Sequence, residues 1–454
     1  MDNVYAYIQD HTERAIGLLE RLCSQPSISA HGVGLEEMAN LTAAAMREYG
    51  LDAALLPVEG GPPLVYAEAA GRSPHTLLFY NHYDVQPADP LDEWTSPPFE
   101  PSRREGKLFA RGVSDNKGDL AVRLEAIAAL REVSGELPLS IKFVVEGEEE
   151  SGSPHFPAAV GAYKDKLAAD VCLSEGTGIG PDRTPSLVLG VKGMLYVELS
   201  AQSAKVDAHS AYATVVPSAA WRLVGALNSL KEADGRVAIA GFYDAVRSLT
   251  PQEKQALAAM PDTSEALREA LGLEAFLDGL TGYDWQERLL GAPTCNICGL
   301  EAGYTGPGLK TVLPARARAK VDFRLVPDQR PQEVLAQLRA HLDRNGFSDI
   351  EIHPIADHER PVRTPVDDPW VQAAALATEQ FYGTPPEIAI NSAGTAPMDV
   401  LVDEVTSSLL FAPGGAGYEG SRIHAPDEHI RLTDLVDAIR VTARLLLEFG
   451  RMGS

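Results

Sequence analysis

Three stretches of the chain run from apolar residues straight into residues that bind cations. In Phe79-Tyr80-Asn81-His82-Tyr83-Asp84-Val85 a strand-like run reaches a histidine and an aspartate two residues apart. In an extended chain that spacing sends both side chains from one face, which suits an imidazole that binds metal while a carboxylate holds its other nitrogen. The apolar run 141–145 leads directly into Glu146-Gly147-Glu148-Glu149-Glu150-Ser151-Gly152-Ser153. Four carboxylates at the end of a buried strand repel one another unless cations neutralise them. A third run, 171–174, ends at Glu175, and Asp115 follows Arg111-Gly112-Val113-Ser114 where a helical pattern starts. Singly these read as a core histidine, a helix N-cap, a solvated loop and a surface glutamate. Jointly they read as a carboxylate-rich centre for two metal ions about 3.5–4 Å apart, with a shared carboxylate and a water made nucleophilic by coordination.

The elements that must position these residues are an alternation of strands and helices, as in an α/β domain. Strands are expected at 76–80, 139–145 and 170–174, and a helix at 116–133 with Leu120, Leu124, Ile127 and Leu130 on one face. Asp115 then lies at a loop-to-helix junction. The chemistry-bearing residues fall at loop ends on one side of an open sheet, where such folds place their sites. From residue 187 the texture changes: a long alternating strand at 187–202, a helix at 217–230 and an acidic helical stretch at 251–280. The strand at 316–326 puts Ala317, Ala319, Val321, Phe323 and Leu325 on one face and Arg316, Arg318, Lys320, Asp322 and Arg324 on the other. Helices follow at 331–344, 369–382 and 432–449, with Gly-rich loops at 391–395 and 412–420.

A length of 454 residues allows two or three domains, and a composition 45% hydrophobic and 23% charged excludes fibrous and disordered classes. The net charge of −25 repels phosphate backbones, so nucleic acid and anionic membrane are poor partners. No run of 18 apolar residues occurs, and residues 1–20 form an acidic helical pattern where a signal peptide needs a basic start. A soluble, cytoplasmic protein is expected. Four cysteines do not make a disulfide framework; Cys295 and Cys298 form a lone C-x-x-C that reads as reduced and structural, and Cys23 and Cys172 as small buried residues. Gly176-Thr177-Gly178-Ile179-Gly180 meets Pro181 where a dinucleotide fingerprint needs spacers, so it reads as a turn. The stretch 303–311 fails as a phosphate loop, and neither H-E-x-x-H nor G-x-S-x-G is present.

The motifs FYNHYDVQP (79–87), WTSPPFEP (94–101), GKLFARGVSDNKG (106–118), VVEGEEESGS (144–153), KTVLPARARAKVDFRLVPD (310–328) and SRIHAPDE (421–428) carry a resemblance over nearly the whole chain. The sequence resembles the co-catalytic zinc metallopeptidase family of carnosinases and other dipeptidases, aminoacylase, glutamate carboxypeptidase, acetylornithine deacetylase and succinyl-diaminopimelate desuccinylase. That resemblance implies an α/β zinc-peptidase-like catalytic domain, a mixed central sheet flanked by helices, formed by residues 1–191 and 362–454. A smaller α+β domain, 192–361, is inserted as a lid and dimerisation surface, which accounts for the gap of 249 residues between Glu175 and the next ligand. The resemblance makes His82 and Glu175 ligands of one ion, Glu150 and His424 ligands of the other, and Asp115 the bridge. Asp84 orients His82, and Glu149 is the general base. The ligand glutamate of the family directly precedes S-G-S, which selects Glu150 and leaves Glu148 a bystander. The Asp115–Asn116 peptide is expected to be cis. His209 matches a histidine that stabilises the oxyanion in a neighbouring subunit, Arg324 an arginine that grips the substrate carboxylate, and Thr311, Gly394 and Thr395 substrate-binding positions.

The implied activity is hydrolysis of dipeptides or small peptides with a free C-terminal carboxylate by a homodimer. Two divalent ions per chain are implied, zinc first, with manganese or cobalt as alternatives. An N-acyl amino acid amidohydrolase is the close alternative, because Glu175 stands where carnosinases usually carry aspartate and deacylases glutamate. The segment Ser210-Ala211-Tyr212-Ala213-Thr214 also lacks the glycines common in dipeptidases. A non-catalytic peptide- or metabolite-binding relative is the reading from another class.

Overall fold

The structure, a computed structural model, describes residues 1–180, 183–355 and 359–452. Leu77, Leu78, Phe79 and Tyr80 are consecutive and all buried, as expected of an inner strand covered on both faces. They belong to the strand Gly71–His82, which pairs in parallel with Leu137–Glu146 on one side and Val171–Leu173 on the other. Leu64–Ala69 runs antiparallel to Leu137–Glu146, so the six-stranded sheet is mixed. The register sets His82 beside Glu146 and Phe79 beside Leu173. Three parallel strands therefore finish at one edge, and the carboxylates that follow them emerge from that edge together.

Helices Lys117–Ser134 and Leu432–Gly450 pack against each other and against this sheet. Leu120, Leu124, Ile127 and Leu130 are buried at the expected helical spacing, and the first of these helices stops at Gly135 in the left-handed conformation. The hydrophobic core of this unit draws residues from Val4 to Phe449, so the two ends of the chain share one interior. Among the described residues no helix is long and apolar enough to cross a membrane. The four cysteines are free thiols, with Cys23, Cys172 and Cys295 buried.

A second core runs from Leu195 to Ile350. It lies between an antiparallel sheet, ordered Thr294–Ala302, Arg316–Leu325, Gly193–Gln202, Glu351–Pro354, and the helices Ala219–Ser229 and Pro331–Arg344. Burial alternates along Arg316–Leu325 as its even-odd pattern predicts. Asp322 departs from it, since it lies on the polar face and is nevertheless buried.

Three local expectations are corrected. The segment after Glu175, read as a turn, contains the strand Thr177–Ile179, which pairs in parallel with Pro413–Tyr418 inside the segment read as a Gly-rich loop. A side chain is what the pairing excludes: a Cβ on Gly176 would lie 2.3 Å from the nitrogen of Gly415. Pro181, part of the turn reading, lies outside the described residues. The single strand expected at 187–202 is three, Ser186–Val188, Gly190–Val191 and Gly193–Gln202, with different partners. The middle piece pairs with Val362–Arg363, where a Cβ on Gly190 would lie 1.8 Å from the oxygen of Val362. The helical stretch at 251–280 is divided into Pro251–Ala259, Ser264–Ala270 and, beyond it, Gly282–Gly291. Pro261 falls in the first gap, where it supplies no amide to continue a helix.

Close backbone contact at Gly176 makes a specific demand. Gly176→Ala should lower the stability of the protein by about 1–3 kcal/mol through overpacking. Urea unfolding measures this, and an unchanged midpoint would show that the two backbones are not held in contact.

Candidate metal centre

Asp115 lies between two histidines. Its Oδ1 is 3.0 Å from His82 Nε2 and its Oδ2 is 3.1 Å from His424 Nε2. Glu175 Oε1 stands 3.5 Å from His82 Nε2, and Glu150 Oε2 stands 3.1 Å from His424 Nε2. Two groups of donor atoms result, His82 with Asp115 and Glu175, and Asp115 with Glu150 and His424, each with its atoms within 4.8 Å of one another. A third such group combines His82, Glu149 and Glu150. Asp115 precedes the helix Lys117–Ser134, its peptide to Asn116 is cis, and His424 occupies a left-handed conformation with φ 62°.

The orientation of these groups is prepared by others. His82 Nδ1 faces Asp84, 3.2 Å from its carbonyl oxygen and 3.4 Å from Oδ1. The Asp84 carboxylate also accepts the backbone N–H groups of Glu149 and Glu150, at 3.2 and 3.0 Å, and so ties the histidine to the glutamate turn. Gln86 Nε2 donates to Glu150 Oε2 at 2.9 Å. Glu148 turns away and meets His155 Nδ1 at 2.8 Å, which separates it from its two successors.

Charge and burial work against each other here. Burial raises the carboxyl of Glu149 to about 6, with Glu150 and Asp115 adding to the rise and His82 opposing it. Burial likewise pushes Glu175 well above the usual carboxylate range, reinforced by Asp115 and Glu149. Burial disfavours the charged form of His82, but hydrogen bonds to Asp115 and Asp84 outweigh it and hold the ring well above its ordinary value. Hydrogen bonds to Asp115 and Glu150 raise His424 to about 10. Protons neutralise a set of imidazoles and carboxylates that divalent cations would otherwise satisfy, and the donor types suit zinc, manganese or cobalt. A cleft of about 360 Å³ opens onto Asp115 and Glu175, with Tyr418 and Ile423 in its wall.

Helix Lys117–Ser134 holds these loops with residues that the motif reading passed over. Arg123 donates to the carbonyl of Tyr80, to Asn81 Oδ1 and to the carbonyl of Ser174, binding together the strand ends that carry His82 and Glu175. Asp119 accepts the N–H of Gly176 at 2.7 Å and that of Ala416 at 2.9 Å. Asn116 donates to Asp119 and accepts from Asn81. The available signal was the spacing of Asp119 and Arg123, four residues apart along one side of a helix that begins just after Asp115.

The remaining site residues of the sequence reading lie in two further places. Arg324 Nη1 donates to Thr395 Oγ1 at 2.6 Å, and its Nε donates to Asp322 Oδ2 at 3.1 Å. This bond joins the second sheet to the 391–395 loop, where Gly394 accepts the N–H of Lys192 at 2.9 Å. His209 and Thr311 are also brought together, Nε2 and Oγ1 being 3.3 Å apart, and both are exposed. The strand Ala208–His209 pairs with Val312–Leu313, which directly follows Thr311, and the ring accepts the N–H of Ala211.

Residues 78–448 match peptidase family M20/M25/M40. The chain belongs to this family. Human Beta-Ala-His dipeptidase is 30% identical over 406 residues, 86% of this chain and 78% of its own. Cys-Gly metallodipeptidase dug1 of Schizosaccharomyces pombe is 27% identical over 469 residues, 97% of this chain and 96% of its own. Among solved structures, an M20 family metallo-carboxypeptidase from Sulfolobus solfataricus is 40% identical with a TM-score of 0.88, covering 96% of this chain and 99% of the other. Human carnosine dipeptidase 1 is 27% identical with a TM-score of 0.79 and covers 99% of each chain. The protein is therefore an M20 metallopeptidase.

The raised histidines of this M20 enzyme give metal binding a definite pH dependence. In the metal-free protein His424, at about 10, is protonated at neutral pH, and ligation requires the neutral ring. Calorimetric titration with zinc at neutral pH, in buffers of different ionisation enthalpy, should show about one proton or more released per chain, and affinity should fall as pH is lowered. Binding without proton release would contradict the charge state described.

Proposed function

We propose that this M20 peptidase hydrolyses the amide bond of dipeptides and other small peptides with a free C-terminal carboxylate, at two divalent ions shared through Asp115. The observation that carries the reading is Asp115 itself, with one carboxylate oxygen turned to His82 and the other to His424. On this reading His82 and Glu175 complete one site, and Glu150 and His424 the other. Zinc is the proposed metal, with manganese or cobalt as alternatives for the same donors. Two such ions, when bound, supply Lewis acidity for the scissile carbonyl and lower the pKa of the attacking water.

The protein's own groups do the rest. Glu149, raised to about 6 by burial, is matched to taking a proton from water near neutrality and passing it to the leaving amine. Asp84 keeps the His82 ring in its orientation through Nδ1. Arg324 offers its guanidinium to the substrate carboxylate, with Thr395 and Gly394 beside it. Residues 192–361 serve as lid and dimerisation surface of a homodimer. Their exposed His209 and Thr311 reach the partner's site, where the histidine stabilises the oxyanion. The names of the two dipeptidase relatives favour a free amino group on the far side of the bond, and the metallo-carboxypeptidase fits the demand for a terminal carboxylate. Glu175 keeps an N-acyl amino acid as the second reading.

Three comparisons test this assignment. Glu149→Gln should retain metal and lose roughly 10²–10⁴-fold in kcat, because the amide can bond to water but cannot accept its proton. Glu148→Gln should be mild, and the opposite pattern would shift the base by one residue. Amidating the C-terminus of a cleaved dipeptide should reduce kcat/KM about ten- to a hundredfold through loss of a charge-assisted hydrogen bond, and Arg324→Ala should penalise the free acid far more than the amide. Much faster cleavage of an N-acetyl amino acid than of the dipeptide with the same C-terminal residue would select the deacylase reading and keep the hydrolase.

A further inference from the structure

Four residues beyond His424, the chain buries a carboxylate that the chemistry above does not use. Glu428 is 1% exposed, and four donors converge on it. Its Oε2 accepts from Arg111 Nη1 at 2.7 Å and from the N–H of Gly112 at 2.9 Å. Its Oε1 accepts from the N–H of Ser114 at 2.9 Å and from that of Asp115 at 3.2 Å. The backbone oxygen of Glu428 takes a fifth donor, the N–H of Ala110, at 3.1 Å. The guanidinium of Arg111 is buried to the same degree as the carboxylate it meets.

An ordinary buried ion pair would need only Arg111. Such a pair is weak evidence for anything beyond its own satisfaction, because desolvation offsets much of the attraction. What distinguishes this carboxylate is that its other three partners are main-chain amides of one turn, and the last of them belongs to Asp115. The turn makes no strand pairing, so these amides depend on an acceptor supplied from elsewhere. Glu428 supplies it from the segment that also carries His424. One side chain thus fixes the backbone of the shared carboxylate relative to the histidine it faces.

We propose that Glu428 is a positioning residue of the metal centre, pinning the 112–115 turn so that Asp115 stands opposite His424 before any ion arrives. The inference rests on the reading that Asp115 and His424 are ligands of a common ion. A second-layer partner of this kind typically changes metal affinity by roughly 10–100-fold when altered. Glu428→Asp is the informative variant: it keeps the charge and a partner for Arg111, but its shorter side chain cannot span the turn from Gly112 to Asp115.

The test uses the full-length protein stripped of metal. Zinc affinity is measured by competition with a chromophoric chelator, well below the unfolding midpoint of each protein, and hydrogen exchange is followed in the peptide spanning 110–116. Glu428→Asp and Glu428→Gln should each bind zinc about tenfold or more weakly and exchange faster in that peptide. A folded variant with parental affinity and parental exchange overturns the inference, since a purely structural ion pair would lower the unfolding midpoint and leave both unchanged. If neither variant folds, the unmodified protein decides: the amides of Gly112, Ser114 and Asp115 must be protected without metal, and free exchange there sinks the proposal. A parent that binds fewer than two zinc ions per chain would instead overturn the dinuclear reading, and the exchange measurement would still judge the pinning.

Discussion

Mutual repulsion among carboxylates is the constraint around which the site is built. Asp115, Glu149, Glu150 and Glu175 converge on two histidines at an edge where solvent is partly excluded, and water cannot screen them there as it would on an open surface. The protein meets this with directed hydrogen bonds. Asp84 takes two backbone amides of the glutamate turn, and Asp119 takes the amide that follows Glu175. Asp84 and Asp119, both outside the donor groups, thus orient the anions and the imidazole within them. The negative charge that protons balance in the metal-free protein is what divalent cations would take over.

Helix Lys117–Ser134 turns this local balance into a property of the fold. Through Arg123 and Asp119 it reaches the ends of two parallel strands and the Gly-rich strand Pro413–Tyr418. Because these partners are main-chain groups, the helix fixes backbone positions and leaves the donor side chains free to face one another. A buried polar network of this sort is justified only if every member is satisfied. The dense burial of its surroundings also ensures that a shift at one strand end would be felt at the others.

The members of the cluster that follow strand ends were legible because their signals are local, whereas His424 entered only through the family resemblance. His82 and Asp84 share a face at a spacing of two, and the run Glu148-Glu149-Glu150 is conspicuous after an apolar strand. The alternation along Arg316–Leu325 likewise states which side chains face the second core. What local pattern does not carry is a partner far away in the sequence. Asp119 meets Ala416 across 297 residues and Glu428 meets Gly112 across 316, and nothing beside either residue announces it. Glycine misled for a related reason: Gly176 and the 412–420 segment look like turns singly, yet the missing side chains admit two backbones to one another. Asp322, set among solvent-facing residues by alternation, is buried under Cys298 and Arg324, whose positions depend on the neighbouring strand and loop.

His424 and Glu428 follow every other member of the cluster in chain order, and the helix Leu432–Gly450 that packs on Lys117–Ser134 comes later still. Synthesis proceeds from the N-terminus, and domains tend to fold as units once their parts have emerged. His82, Asp115 and Glu175 are made before the last donors, while the interior they rest on still lacks the helix Leu432–Gly450. Closure of the 112–115 turn by Glu428 must wait for the segment beyond residue 420. On the dinuclear reading, a peptidase arranged in this way cannot cut until the segment beyond residue 420 has been made.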